Sequence, residues 1–179
     1  GAFWGCTDLT SVTFPDALTT IERYAFRGCT GLTSITFPNA LTTIDDGAFW
    51  GCTDLTSVTF PDALKTIGEY AFSDCTGLTS VTFPEALKTI RKYTFSGCTG
   101  LTSVTFPKTP ATIMPYAFSN CTGLTSVTCK AFDPITKCYN RYAFDGKTYT
   151  YATLSVPSGS IQLYKKDSIW GEFKDIQGF

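Results

Sequence analysis

A unit of 23 residues recurs six times in this chain of 179 residues, and this period constrains the fold more than any other feature of the sequence. Superposing the chain on itself at that shift aligns a shared pattern, A-F-x-x-C-T-x-L-T-S-x-T, from Ala2 until the sixth copy diverges after Phe132. Self-similarity at a fixed period of this length is typical of a solenoid, in which each unit packs on its neighbours. The period therefore decides the architecture before any local prediction of helices or strands.

The apolar residues of one unit predict a short strand with one buried face. In the second unit, Leu32, Ile35 and Phe37 follow the leucine-rich-repeat strand spacing L-x-x-I-x-F, and their side chains should point inward. Polar residues alternate with them, as a half-buried strand requires. Pro38 ends the strand because proline cannot donate a hydrogen bond to a ladder. A second short extended stretch is predicted over residues 41–44.

The sequence changes character after the sixth repeat strand, which predicts a cap for the apolar end of the solenoid. We divide the chain into six repeats over residues 1–128 and an irregular last turn with a small α+β cap over residues 129–179. In the cap we expect a last strand over residues 152–157 and a short helix over residues 158–166, with Ser158 as its N-cap. The expected apolar lid consists of Trp170, Phe173 and Ile176.

No equivalent cap precedes Ala2, and the chain opens in the middle of a repeat. We therefore expect this sequence to be a fragment of a longer protein. An uncapped end leaves apolar side chains and strand edges unpaired. We expect the fragment to self-associate through this N-terminal end.

The unit resembles the BspA-like leucine-rich repeat, whose pattern is roughly L-x-x-I-x-x-x-A-F-x-x-C-x-x-L-x-x-I-x-x-P, over residues 2–128. The tail LSVPSGSIQLYKKDSIWGEFKDI is similar to the ending of such proteins from Bacteroides-type bacteria. The resemblance implies a leucine-rich-repeat solenoid, a β-rich right-handed coil with little helix. It also implies a cell-surface or secreted module for adhesion and protein binding. The sequence departs from the pattern at Pro110, at Pro115 and in the insertion over residues 136–151.

The side chains that usually carry out catalysis are poorly represented in this sequence. The chain has no histidine, the commonest general base and metal ligand, and its carboxylates look like solvated turn residues. We therefore expect no enzymatic activity, no metal site and no cofactor. Acidic and basic residues are scattered and the net charge is −1, which predicts no nucleic-acid partner. The longest apolar runs are only a few residues, so we expect no membrane-embedded segment.

Six cysteines share one position of the repeat and are predicted to form a ladder of buried thiols in the stacked turns. They are Cys6, Cys29, Cys52, Cys75, Cys98 and Cys121. Neighbouring turns are close enough for disulfides, but parallel side chains aimed at the core have the wrong mutual orientation, so we assign the ladder a packing role. Cys129 and Cys138 lie nine residues apart in the cap and are the alternative candidates for a disulfide.

The surface positions that vary between units are the candidates for binding. One such row contains Trp4, Arg27, Trp50 and Ser73, and another contains four tyrosines. Tryptophan and tyrosine are common anchors of interfaces, although the same rings could instead shield the core at a turn. A row of threonines should stand exposed beside the buried strand residues. The candidate contact residues are Trp4, Trp50, Tyr24, Tyr70, Tyr93, Tyr116, Thr36 and Thr59.

Three functional hypotheses follow from these features. The first is a bacterial extracytoplasmic module that binds an extracellular protein, such as a host matrix or surface protein, by rigid display of its surface. The second is a module in which the same aromatic rings stack on host or dietary glycans. The third is a structural spacer that projects another domain and binds nothing itself.

Overall fold

The computed structural model describes residues 1–109, 112–134 and 142–179, which form stacked turns with two rows of short parallel strands. The first row is a five-stranded sheet in the order β1-β3-β5-β7-β9. Its strands are β1 (Thr20–Ile21), β3 (Thr43–Ile44), β5 (Thr66–Ile67), β7 (Thr89–Ile90) and β9 (Thr112–Ile113). These strands are the second extended stretch that the sequence predicts in each unit.

The second row contains the longer strands and continues into the cap. Its strands are β2 (Ser34–Thr36), β4 (Ser57–Thr59), β6 (Ser80–Thr82), β8 (Ser103–Phe106), β10 (Ser126–Cys129), β11 (Thr153–Val156) and β12 (Asp175–Gly178). β2 pairs with β4, and the other five form one sheet in the order β12-β11-β10-β8-β6. The predicted leucine-rich-repeat solenoid with little helix is therefore confirmed.

The strand register equals the sequence period throughout the repeats. Ile35 pairs with Val58 and Val81 with Val104, so partners are 23 residues apart in both cases. Each side chain consequently lies beside its counterpart in the next turn. Phe37 lies just outside β2 but stays buried, so the strand is shorter than the alternating pattern predicts while its inward face is as expected.

Two columns of stacked phenylalanine rings fill the core along the axis of the solenoid. Rings of the first column are 5.1–5.4 Å apart between centroids, and those of the second are 5.5–6.2 Å apart. The first column is Phe3, Phe26, Phe49, Phe72, Phe95, Phe118 and Phe144, and the second is Phe14, Phe37, Phe60, Phe83 and Phe106. Rings of the two columns meet edge to face, an arrangement that aromatic pairs favour.

The C-terminal segment closes both columns with aromatic rings. Trp170 is fully buried and meets Phe106 at 6.0 Å and Phe144 at 5.9 Å in edge-to-face contacts, and Phe173 packs on Phe144. These two residues of the predicted lid are where the sequence places them. Ile176 instead lies half-buried in β12, which adds one more strand to the second row. The cap therefore adds a strand to the sheet and also covers the apolar end of the core.

The two short helices of the cap are α1 (Gly146–Tyr151) and α2 (Ile161–Lys166). The prediction of a helix capped by Ser158 is wrong in detail, because a 3-10 turn over Ser158–Ser160 precedes α2. The Ser158 hydroxyl donates to the carbonyl of Phe179 rather than capping a helix. Tyr164 of α2 is fully buried, and its hydroxyl lies 3.0 Å from the carbonyl of Ala131, which ties the helix to the last turn.

A corner in each turn requires left-handed backbone. Tyr24, Tyr70, Tyr93 and Tyr116 have φ between 55° and 64°, and Gly47 has φ of 61° at the same position of the second unit. Left-handed backbone costs a bulky residue roughly 1–2 kcal/mol because its Cβ crowds the following carbonyl, whereas glycine adopts it freely. Four tyrosines are thus held in a conformation that disfavours them.

The thiol ladder forms in the core with one exception. Cys29, Cys52, Cys75, Cys98 and Cys121 are fully buried, and each thiol donates to a phenylalanine carbonyl 26 residues earlier, as Cys75 does to Phe49 at 3.2 Å. Since each thiol points to a carbonyl, the ladder contains no disulfide. Cys6, in the first turn of this sequence, is exposed and departs from the predicted burial.

Burial in this ladder should make the fold sensitive to alkaline pH. Burial raises the pKa of Cys52 and of Cys121 from 9.0 to about 12, and raises the pKa of Cys75 and Cys98 well above 9.0. A folded-state pKa above the unfolded one gives stability that is fully present below pH ~9 and is lost as the pH rises toward the folded value. Urea titrations at increasing pH should show the free energy of unfolding fall above pH ~9, by about 1.4 kcal/mol per pH unit for each buried thiol.

The variant Cys75→Ala separates this effect from other alkaline titrations. It should be less stable at neutral pH because a side chain is lost from the core, but its dependence on pH above ~9 should be shallower by the contribution of one thiol. Equal slopes for the two proteins would contradict the assignment of the effect to the ladder.

The left-handed corner predicts an unusual order of stability at Tyr93. Both Tyr93→Ala and Tyr93→Gly lose the ring, but only alanine keeps a Cβ in left-handed backbone. We therefore expect the glycine variant to be the more stable by about 1 kcal/mol in chemical denaturation. At Thr36, an exposed residue of β2, the order should be the ordinary one, with glycine less stable than alanine by about 0.5–1 kcal/mol. An alanine advantage at Tyr93 would contradict the strained corner.

Candidate binding surface

An exposed stack of side chains, which we call the aromatic column, runs along the corner of the turns. Its members are Trp4, Arg27, Trp50, Tyr70, Tyr93, Tyr116 and Tyr142. Trp50 stacks on Tyr70 at 5.3 Å, and the tyrosines follow at 4.9, 5.1 and 5.6 Å with interplanar angles of 12° or less. Six intervals of about 4.8 Å give the column a length of roughly 29 Å.

The two variable rows of the sequence combine in this column. The tryptophans come from the row that follows the Ala-Phe pair of each unit, and the tyrosines come from the row that precedes it. The sequence predicts both rows as candidates for binding but not their union. Arg27 belongs to the first of these rows but is not among the candidate contact residues, because it is not aromatic, and Tyr142 is not predicted because the repeat pattern has ended there. The structure brings the predicted aromatic residues together in the column except Tyr24, which packs beside Trp4.

Gly47 leaves space beside the part of the column where Arg27 lies. It has no side chain at the corner, and the ring of Tyr24 occupies the space, only 2.4 Å from where a Cβ on Gly47 would lie. The Tyr24 ring is thereby tilted by 37° against Trp4 rather than stacked in line. The guanidinium carbon of Arg27 lies 4.7 Å from the ring centre of Trp4 and 4.1 Å from that of Trp50. Both distances are within the range of cation–π attraction.

Trp50 is held by contacts on both sides and at its edge. Arg27 lies over one side, Tyr70 stacks on the other, and the indole N–H donates to the carboxylate of Asp74 at 2.9 Å. Trp4 is less enclosed, with 59% of its surface exposed. The expectation that both tryptophans are exposed is thus met fully at Trp4 and only partly at Trp50, which is half-buried in the stack.

The rings of the column present their edges rather than their faces to solvent. Tyr70, Tyr93 and Tyr116 each have a ring stacked on either side. Burial and the neighbouring Tyr93 raise the pKa of the Tyr70 phenol, so its hydroxyl is protonated and can donate. The exposed part of the column is therefore a line of ring edges and hydroxyls, which suits contacts with polar and apolar groups of a protein.

The predicted threonines lie on a different surface from the aromatic column. Thr36 and Thr59 are exposed on β2 and β4, and with Thr82 they line three adjoining shallow depressions of about 510, 460 and 410 Å³. Asp16, Asn39, Asp62 and Glu85 stand along one rim, and no member of the aromatic column lines these depressions. The predicted contact residues thus form two separate surfaces.

The three depressions together form a groove, and one carboxylate on its rim already bonds to the backbone of the next turn. The carboxylate of Glu85 accepts hydrogen bonds from the backbone N–H groups of Lys108 and Thr109 in the next turn, both at 3.1 Å. The hydrogen bond from Lys108 is the main reason that the pKa of Glu85 is lowered. Asp62, which lines the same depression, has no such role in the contacts described.

The thiols and the potential metal ligands of the described residues are both predicted to have structural rather than chemical roles. The buried thiols have raised pKa values, which disfavours the nucleophilic thiolate. Within the described ranges, no three histidine, cysteine, aspartate or glutamate side chains lie together as metal ligands would. No helix in these ranges is long and apolar enough to cross a membrane. Cys129 is buried with a free thiol, so the structure does not contain the suggested disulfide, whose other cysteine, Cys138, falls outside the described residues.

Comparison with solved structures finds bacterial leucine-rich-repeat proteins of the same fold. A leucine-rich-repeat protein of T. pallidum is 28% identical with a TM-score of 0.69, covering 86% of this chain and 64% of its own. A leucine-rich cell surface protein of Faecalibacterium prausnitzii is 31% identical with a TM-score of 0.64, covering 67% of this chain and 32% of its own. The pneumococcal vaccine antigen PcpA, at 20% identity and a TM-score of 0.77, covers 95% of this chain and 41% of its own and shares the fold.

The chain thus spans less than two thirds of the length of these structures. No curated protein sequence matches it significantly. A sequence model of the BspA type leucine rich repeat region matches six copies, over residues 1–125 and 42–166. The resemblance seen in the repeat pattern is confirmed, and the chain belongs to the BspA type leucine-rich-repeat family.

Proposed function

We propose that this chain is a recognition module that binds an extracellular protein through its aromatic column and carries out no catalysis. The observation that carries the proposal is the column itself, a continuous stack of half-exposed rings fixed before any partner arrives. Tryptophan, tyrosine and arginine are the residues that most often dominate the energy of protein interfaces. This surface concentrates all three along one edge of a rigid solenoid.

Preorganisation is the physical advantage of such a surface. A side chain that becomes fixed on binding costs about 0.5–1.5 kcal/mol in lost conformational freedom. In the column, Trp50 is already held by Arg27, Tyr70 and Asp74, and each inner tyrosine is held between two rings. Binding would therefore order little that is not ordered already, which favours the complex.

We place the module outside the cytoplasm, at the cell surface or secreted. The support is the relative from Faecalibacterium prausnitzii, which is 31% identical and is described as a leucine-rich cell surface protein. The absence of catalysis rests on the repeat family and on the raised pKa of the buried thiols. A spacer function would also suit this architecture but gives no reason for tyrosines in left-handed backbone.

Glycan binding is the second candidate, and Trp4 is the observation that favours it. Sugars stack on open ring faces, and the strongly exposed Trp4 is the ring of the column best able to offer one. The inner tyrosines have both faces covered, which restricts glycan stacking to the end of the column. We therefore favour a protein partner over a glycan.

The double variant Trp4→Ala with Trp50→Ala tests the proposed surface. We expect at least about tenfold weaker binding to a protein partner found by surface plasmon resonance against extracellular-matrix proteins, because two anchor rings are lost. The double variant Thr36→Ala with Thr59→Ala is the matched control on the other surface and should bind as the unmodified chain does. A saturable response to mucin-type glycans alone would favour the second candidate.

The proposal is overturned if the tryptophan double variant keeps full affinity and the threonine double variant loses it. The groove lined by Thr36 and Thr59 would then be the binding surface. If no protein or glycan in the panel binds, the result would favour a spacer. Thermal unfolding of both variants should show that the repeats remain folded.

Self-association through the first turn, which the sequence predicts, is a separate proposal. Phe3, Val12, Phe14 and Leu18 are apolar and remain partly or largely exposed there. Light scattering should show the average mass rise with protein concentration, and Phe3→Asp should reduce that rise because a charge would enter the apolar contact. A constant monomer mass over a wide concentration range would contradict self-association.

A further inference from the structure

The Arg27 guanidinium lies among three aromatic rings. Besides the two indoles at 4.7 and 4.1 Å, the ring of Tyr24 lies 5.6 Å from its central carbon. The N–H groups of a guanidinium lie in its plane, and attraction to aromatic rings does not use them as hydrogen-bond donors, so they stay available to another group. The positive charge is thus held in place with its hydrogen-bonding edge available.

This charge has no ion-pair partner within residues 1–109, 112–134 and 142–179. The ion pairs in that part of the chain involve Asp46, which contacts Arg23 and, at 3.9 Å, Arg91. The carboxylate beside the column, that of Asp74, accepts from the Trp50 indole. Arginine between tryptophans without a carboxylate of its own chain is an arrangement suited to an anion from elsewhere.

The backbone next to Arg27 leaves room for another chain to approach. Gly5, Gly28 and Gly51 occupy one position in three successive turns, all with positive φ. A Cβ added at any of them would meet nothing closer than 3.8 Å. The same position holds Asp74, Gly97 and Asn120 in later turns, and a Cβ on Gly97 would collide with the carboxylate of Asp74. The three glycines that face open space are therefore those in the turns around Arg27.

We infer that the cluster of Trp4, Arg27 and Trp50 binds a carboxylate of an acidic segment in the protein partner. The inference rests on the proposed function and names the chemistry that the column recognises. A carboxylate accepts two parallel hydrogen bonds from the edge of a guanidinium, and the flanking indoles exclude water from that contact. The glycine strip offers space for the peptide backbone on either side of the acidic residue.

Fluorescence anisotropy with a labelled peptide of alternating glutamate and serine tests this site directly. The peptide should bind at about 0.15 M salt, where distant charges are screened, and the same peptide with glutamine for glutamate should not. Arg27→Gln should weaken binding at least about tenfold, because the charged bidentate contact is lost. Arg27→Lys keeps the charge without the fork and should fall between the two.

Arg91→Gln is the matched control, since Arg91 is an exposed arginine of another turn that lies near Asp46. It should leave the affinity for the glutamate peptide unchanged. Tryptophan emission gives a second readout, because Trp4 and Trp50 flank the site while Trp170 is buried in the cap. Binding should change the emission of the unmodified chain and leave that of Arg27→Gln unaltered.

Three outcomes overturn the inference. The first is failure of the glutamate peptide to bind, and the second is equal weakening by Arg27→Gln and Arg91→Gln, which would indicate only general charge attraction. The third is binding that depends on Arg27 for a uronic-acid oligosaccharide but not for the peptide, which would assign the carboxylate to a glycan. Loss of peptide binding in Arg27→Gln alone supports the site.

The proposed function and this inference fail in different ways. A protein partner that loses affinity in the Trp4 and Trp50 double variant but keeps it in Arg27→Gln leaves the aromatic column as the binding surface and removes the carboxylate site. A partner that is indifferent to both changes removes the proposed surface as well.

Discussion

The structure depends on one constraint, the equality of strand register and sequence period. Because Ile44 pairs with Ile67 and Val81 with Val104, every side chain meets a copy of itself or its substitute in the next turn. Phenylalanine rings then stack on the equivalent rings of the next turn and form columns. Cysteines such as Cys75 donate to a backbone carbonyl of the neighbouring turn and form a ladder. The core, the thiol ladder and the aromatic column are three results of the same register.

The repeated part of the fold could be predicted from sequence because each apolar position recurs in four to six of the units. The parts that could not be predicted are those whose local sequence or surroundings occur only once in the chain. Cys6 is exposed although it matches five buried cysteines, since burial depends on the turn before it rather than on its own residue type. In the cap, the 3-10 turn at Ser158–Ser160 and the strand that includes Ile176 arise from contacts with the last turn, which no period encodes.

The candidate site shows the same division between repeated and unrepeated information. The tyrosine and tryptophan rows are visible in the sequence, but whether two rows merge depends on how left-handed corners direct the rings. The position of Arg27 depends on the missing side chain of Gly47, one turn further on, together with the tilt of Tyr24 that this allows. A departure from the repeat at one residue thus sets the chemistry of another that is 20 positions away in the chain.

Because of the shared register, the solenoid can change its length only by whole turns. Removing one whole unit would place Phe26 against Phe72 or its equivalents, with the same stacking and the same ladder, so a core of fewer rungs is physically equivalent to the present one. The corner differs from the core, because its side chains change from one turn to the next. Genetic gain or loss of units would therefore alter the reach of the module in steps of about 4.8 Å while leaving its interior unchanged. Loss of the unit over residues 25–47 would remove both Arg27 and Gly47, and with them the positive charge of the aromatic column.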